Sequence, residues 1–245
     1  MKSRLFAVLT AVTIVLAAVV GPATADSVTR QGFTRVTNIS EKVVALTFDD
    51  GPDPRYTPQM LDLLAAHNAK ATFFVVGDEV VKHPDLAQRI VAEGHELANH
   101  TTSHPFFNAL TEEQAKAEIA NAQQAIEGVT GVTPKYFRAP RGQVSSPTYN
   151  AIKSSGLKHA SWTVCLERSA IRSPEARAKR VMSKIFPGAI ILTHDGLLDR
   201  SGSVEATRDL LNLLDAEGYR VVTLAQLEQL GGLISQALSS APKGH

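Results

Sequence analysis

The stretch Val43-Val44-Ala45-Leu46-Thr47-Phe48-Asp49-Asp50-Gly51-Pro52 is an apolar run that ends abruptly in two acids and a Gly-Pro break. Its length, its apolar composition and the turn residues that close it predict a strand over Val43–Phe48, buried on both faces. The same alternation continues outward from it. Helical patterns over Pro58–His67 and Leu86–Glu93 flank a second strand at Ala71–Val76. Then follow His95–Asn99, a long helix from Thr111 to about Glu127, Tyr136–Arg138, Pro147–Ser155, Lys158–Val164, Pro174–Ile185, Ala189–His194, Val204–Glu217 and Arg220–Leu224. Short strands alternating with helices predict an α/β fold around a parallel sheet covered on both sides. Thr111 is a good helix start, because its hydroxyl can accept from an early backbone N–H while Gln114 completes a capping box. The polar residues suited to chemistry fall at the C-terminal ends of the predicted strands, where a (β/α) barrel gathers its active-site loops. An open doubly wound sheet also binds at strand ends, so this pattern leans towards a barrel without deciding the matter.

Lys2 and Arg4, the apolar stretch Leu5–Val20 and Ala23-Thr24-Ala25 form the pattern of a signal peptide over residues 1–25, cut before Asp26. The apolar stretch is short for a bilayer span, and Gly21-Pro22 follows it where stop-transfer charges would stand, so no membrane anchor is expected after cleavage. With no cysteine near the cut, lipid attachment is not suggested either. The expected location is secreted, outside the cell or at its wall. The remaining chain suffices for one domain, expected at 41–230 and acting as a monomer, between a lead at 26–40 and a flexible C-terminal tail at 231–245. The formal charge of +1 falls to −1 once Lys2 and Arg4 are removed, which argues against nucleic acid as a partner. Cys165 is the only cysteine, so no intramolecular disulfide forms, and it reads as a small buried apolar residue and not a nucleophile.

Four constellations carry chemistry. Two adjacent carboxylates, Asp49 and Asp50, cannot both ionise cheaply at a strand end unless a cation compensates, so one suits a metal ligand and the other a base. His100 and His104 stand four apart and would share one face if the segment took a helical turn. With Asp50 they make a His-His-Asp set suited to zinc or a similar divalent ion, with positions left for water and substrate. Arg138, at another strand end, can hold a carboxylate with its forked donors. His194 ends a β-branched strand and titrates near neutrality, which suits a proton donor to a leaving amine. His67, His83, His159 and His245 read as solvated, and His95 as packed.

These residues together resemble the polysaccharide deacetylases of carbohydrate esterase family 4, also described as the NodB homology domain, over Lys42–Leu230. Thr47–Pro52 is similar to the motif TFDDGP, His100–His104 to H-[ST]-x-x-H, Arg138–Gly142 to R-x-P-x-G and Leu192–His194 to L-x-H. The resemblance implies a distorted (β/α) barrel with fewer than eight complete units. It implies Asp49 as catalytic base, oriented by Arg138, with His194 as general acid. Asp50, His100 and His104 would bind a divalent metal, zinc first, with cobalt or nickel as alternatives. Pro140, Arg141, Gly142, Leu192 and Trp162 would contact substrate, Leu192 lining the acetyl pocket. The implied substrate is an N-acetylated poly- or oligosaccharide, with peptidoglycan ahead of chitin-like glycans. The rivals are an O-acetyl esterase acting on xylan and a non-catalytic glycan binder.

A fourth motif departs from the pattern. The family shows W-x-x-D-x-x-D-W, and here Cys165, Arg168 and Ser169 stand where Asp, Asp and Trp are usual, after Trp162. The acid that normally partners the histidine is therefore missing. Glu167 is the nearest substitute, yet on an extended chain an offset of one residue points its side chain the other way. Against a binder stands the retention of base, acid and orienting arginine together, since binding alone requires none of them.

Overall fold

The computed structural model describes residues 32–167 and 170–233. The expected signal peptide, lead residues 26–31, Arg168, Ser169, and tail residues 234–245 with His245 lie outside them. The chain runs β1 (Val36–Thr37), β2 (Val43–Asp49), α1 (Thr57–Ala66), β3 (Thr72–Val75), α2 (Gly77–Lys82), α3 (Pro84–Ala92) and β4 (Glu96–Asn99). Next come α4 (Glu112–Thr130), β5 (Tyr136–Phe137), α5 (Ser146–Ser155), β6 (Lys158–His159), β7 (Val164–Cys165) and α6 (Pro174–Met182). It closes with β8 (Ile190–His194), α7 (Ser201–Ala216), β9 (Arg220–Val222), α8 (Leu224–Leu230) and β10 (Gly232–Leu233).

The main sheet has the order β6-β5-β4-β3-β2-β8-β7, with β9 beside the start of β2, and its pairings are parallel. It curls into a distorted, incomplete barrel, as the resemblance implied. Strand β2 is buried along its whole length, and its residues divide by parity. Val44, Leu46 and Phe48 join the core under the outer helices, while Val43 and Ala45 join a second core inside the barrel with Phe74, Ala98, Tyr136 and Ile190. Period-two alternation in an apolar strand thus feeds two cores at once. Phe48 stacks on Phe73 across the sheet, ring centroids 4.8 Å apart.

The register sets the active edge. Asp49 lies opposite His194, and beyond β3 Asn99 lies opposite Phe137. The residues at or just past those positions, Asp49, Asp50, His100, Arg138 and His194, therefore emerge at one level along the C-terminal edge.

Two expectations are corrected, the Lys158–Val164 strand and the solvated His159, and the segments expected as lead and tail pair with the fold at their inner ends. The expected strand Lys158–Val164 is two strands at opposite margins of the sheet, because the chain crosses the barrel mouth between β6 and β7. The expected lead helps close the open seam, since Phe33 bridges Ala160 and Arg35 bridges Ala189, with the Phe33 ring buried in the inner core. The expected tail begins as β10, paired antiparallel with β1. His159, expected to be solvated, is half-buried against Phe137, and burial pushes its pKa down to about 3. His95 is packed as expected, accepting from the Ala71 amide at 3.2 Å.

Helix α4 begins at the predicted place. The Thr111 side chain accepts from the Gln114 amide at 3.2 Å, and the Gln114 side chain returns the contact to the Thr111 amide at 2.9 Å. The same device, Thr223 with Gln226, starts α8, a helix the periodicity did not single out. Thr111→Ala leaves an early α4 donor without its partner, so chemical denaturation should show a loss of about 1 kcal/mol.

Candidate active site

An open cleft of about 460 Å³ lies over the C-terminal edge, lined by Asp49, Asp50, His100, His104, Arg141, Gly142, Trp162, Cys165, Leu192, His194, Leu197, Leu198 and Arg200. That volume is ordinary for a small-ligand site. The sequence-derived candidates converge here, with two exceptions. Arg138 is buried behind Asp49, and Pro140 is buried at the start of a single 3-10 turn, Pro140–Gly142.

Arg138 is the hub of the floor. It is 1% exposed, and its Nη1 donates to Asp49 Oδ1 at 2.6 Å and to Thr47 Oγ1 at 2.9 Å. Its Nη2 donates to the Ser161 carbonyl at 3.0 Å, and its guanidinium lies 3.9 Å over the Phe74 ring. Burial pushes the pKa of Arg138 down while Asp49 opposes the shift. Its backbone carbonyl accepts from His100 Nδ1 at 2.8 Å, which aims the other ring nitrogen into the cleft.

Asp50, His100 and His104 offer donor atoms that all lie within 4.8 Å of one another. Asp50 Oδ1 is 3.2 Å from His104 Nε2 and 3.5 Å from His100 Nε2. Burial would raise the Asp50 carboxyl, but the two imidazoles override it and hold the pKa far below the usual carboxylate range. Two imidazole nitrogens, one carboxylate oxygen and an oriented His100 are the donor set of an open divalent-metal site, so the residues present fit such an ion. The convergence is not helical, however. Thr101 and His104 adopt left-handed backbone, at φ 73° and 55°, and fold the loop back so that the imidazole centroids lie 5.1 Å apart.

On the opposite side, His194 Nδ1 stands 3.2 Å from Glu167 Oε2, off the line of a hydrogen bond. Glu167 Oε1 accepts from Thr193 Oγ1 at 2.7 Å and from the His194 amide at 3.1 Å. The expectation that Glu167 points away is thus overturned. Strand β7 ends at Cys165, so strand alternation no longer governs the direction of Glu167. Burial would raise Glu167, yet His194 brings its pKa to about 2, and burial would lower His194, yet Glu167 leaves its pKa raised. Cys165, half-buried in the wall, has its thiol pushed up to about 12 by burial and by Glu167, consistent with an inert thiol.

The far wall holds Trp162 against Gly142. A Cβ on that glycine would come 2.5 Å from the indole, and its φ of 64° also favours glycine. Arg141, at φ 58°, stacks 4.0 Å over the exposed ring of Phe106 at the rim. Three features went unnoticed in the sequence. Leu197 and Leu198 form an exposed apolar rim after β8, and their apolar pairing within a polar loop was the available signal. Arg200 Nη2 donates to Asp50 Oδ2 at 2.6 Å, with no signal in its helix-start context. Asp195 is fully buried, accepts from Thr57 Oγ1 at 2.6 Å, and is pushed up to about 7 by burial and by the neighbouring acids.

Comparison with known proteins agrees with this geometry. A family profile described as polysaccharide deacetylase matches residues 37–160. A peptidoglycan-N-acetylglucosamine deacetylase of Bacillus cereus is 36% identical over 190 residues, 77% of this chain and 89% of that protein. The structure of the peptidoglycan deacetylase PdaC from Bacillus subtilis superposes with a TM-score of 0.71 at 35% identity, over 78% of this chain and 92% of that one. A family 4 acetyl xylan esterase from Clostridium thermocellum, solved with a cobalt ion, gives 0.71 at 35% identity, over 77% and 91%. A buried Asp-Arg pair, a His-His-Asp donor set and an acid-tuned histidine on an incomplete parallel barrel, together with these matches, place the chain in the polysaccharide deacetylase family.

Proposed function

We propose that this chain is a secreted, divalent-metal-dependent deacetylase that hydrolyses N-acetyl groups of cell-wall peptidoglycan, releasing acetate and a free amine. The observation that carries the reading is the division of labour between adjacent acids. Asp50 turns an oxygen to His100 and His104, whereas Asp49 is held by Arg138 at the cleft floor. A bound divalent ion, zinc by preference for this donor set, would polarise the acetamide carbonyl and acidify a water. Asp49, kept in one orientation by Arg138, takes the proton of the attacking water. The Arg141 backbone N–H is the donor that the family resemblance implies for the developing oxyanion. His194, whose protonated form the neighbouring Glu167 favours, protonates the departing amine. Leu192 bounds the acetyl group, and Trp162, Arg141 and Gly142 form the wall for the sugar, with Pro140 setting the turn that presents them.

Peptidoglycan is the leading substrate because the Bacillus cereus relative is named for it, and a chain exported by the signal-peptide pattern of residues 1–25 would meet the cell wall first. Among the described residues no helix is long and apolar enough to cross a membrane. The proposed ligands, base and acid all come from one chain, so the reaction as proposed needs no partner subunit. The likeness to an acetyl xylan esterase supports a second reading, hydrolysis of O-acetyl esters. Acetate released by the zinc-loaded protein from peptidoglycan, chitin oligomers and acetylxylan decides between them. Faster release from acetylxylan overturns the amide assignment, and release from none overturns the enzyme.

Asp49→Asn should keep the metal content of the wild type and lose on the order of a hundredfold or more in acetate release. Near-wild-type turnover would remove Asp49 from the role of base. Glu167→Gln deletes the anion that raises the pKa of His194, so the imidazolium loses its proton at lower pH. The alkaline limb of the kcat profile should therefore move down in pH, and an unmoved limb would show that Glu167 does not tune the acid.

A further inference from the structure

We propose that Arg200 is a positioning residue that holds Asp50 as a one-oxygen ligand, keeping coordination positions at the metal centre open for water and substrate. The inference rests on reading Asp50, His100 and His104 as a divalent-metal site.

The two oxygens of Asp50 have different surroundings. Oδ1 faces both imidazoles, at 3.2 and 3.5 Å. Oδ2 receives Nη2 of Arg200 at 2.6 Å. The guanidinium is itself fixed, since its Nε donates to the Gly196 carbonyl at 2.7 Å, and its side chain is only 11% exposed. A charge-assisted bond so shielded from water keeps its strength and direction. The backbone adds a second restraint, because Asp50 stands at φ 79°, where an aspartate has little freedom.

A carboxylate can give a metal one oxygen or two. Two would fill a position that a hydrolytic site needs for water or for the substrate oxygen. With Oδ2 committed to a cation, only Oδ1 is offered. Two of the five guanidinium donors of Arg200, one on Nε and one on Nη2, are engaged within the protein. The loop that carries Arg200 is also tied down beside it, with Tyr56 donating to Asp199 Oδ1 at 2.7 Å. The orientation of Asp50 and the Leu197–Leu198 rim therefore share one anchored segment.

The test uses the full mature chain with cobalt(II) as probe, because the intensity of its visible bands falls as coordination number rises. Wild type, Arg200→Met and Arg200→Lys are compared by visible absorption, by equilibrium dialysis and by acetate release. R200M should still bind a single equivalent of cobalt but show weaker bands, with kcat lowered about tenfold to a hundredfold and KM little changed. R200K, which keeps a cationic donor for Oδ2, should retain the wild-type spectrum. The proposal is overturned by an R200M spectrum equal to wild type. It is equally overturned by a folded R200M that no longer binds cobalt, since Arg200 would then govern whether the ion binds and not how Asp50 holds it. A weakened R200K spectrum overturns it even if R200M fails to fold. Wild-type protein that binds no cobalt would refute the metal reading itself, and the inference with it.

Discussion

The site depends on one buried ion pair, Arg138 with Asp49. Both side chains are almost wholly out of water, at 1% and 5% exposure, so neither charge is tolerable without the other. Removing one partner of such a pair costs on the order of 3–5 kcal/mol, because the survivor is left buried and unmatched. The surrounding barrel serves that demand. Thr47 and the Ser161 carbonyl occupy further donors of the guanidinium, and Phe74 offers its ring face. The same residue reaches the metal side through its main chain, where its carbonyl fixes the tautomer and tilt of His100. A single position just past β5 thus aligns Asp49, the proposed base, and the His100 imidazole together.

Partners, and not burial alone, decide what each acid does. Asp49, Asp50 and Asp195 share one floor with little access to water. Asp50 has two imidazoles and falls far below the usual carboxylate range, while Asp195, with one hydroxyl donor and acids nearby, rises to about 7. Glu167 follows the first pattern through His194. Asp50 and Asp195 are thus driven apart in acidity by the groups around them.

The parts legible in the sequence are those in which local pattern and strand direction suffice. Val43–Phe48 reads as a buried strand because its apolar run is unbroken, and Asp49, His100, Arg138 and His194 read as one edge because parallel strands deliver their ends together. The pairing of His100 with His104 was legible, but its means was not, since left-handed turns at Thr101 and His104 replace the helical turn. Glu167 was misdirected by strand alternation applied two residues beyond the end of the strand. Arg200 was invisible because its partner, Asp50, lies 150 residues earlier, and an arginine at a helix start ordinarily faces solvent. The part played by the lead was hidden for a similar reason, because a short polar segment betrays nothing of the seam it closes until β6 and β7 stand at opposite margins.

Backbone strain shows where that local logic was set aside. Left-handed conformations outside glycine include Asn38 and Asn68, a residue type that tolerates them, and Asp50, Thr101, His104, Arg141 and Leu197, which gather around the cleft. Thr101 is β-branched, and for such a residue the conformation costs on the order of 1–3 kcal/mol. A loop would relax out of it unless neighbouring contacts held it, and they do. The Thr101 amide bonds the Asn99 side chain, and Glu118 on α4 accepts from the Thr102 and Ser103 amides. At Asp50 the hold comes from Arg200, and at Arg141 from the Phe106 ring and the Pro105 carbonyl. A rigid parallel sheet supplies the strand ends, and contacts from neighbouring and distant segments hold the loops in positions that sequence periodicity could not announce.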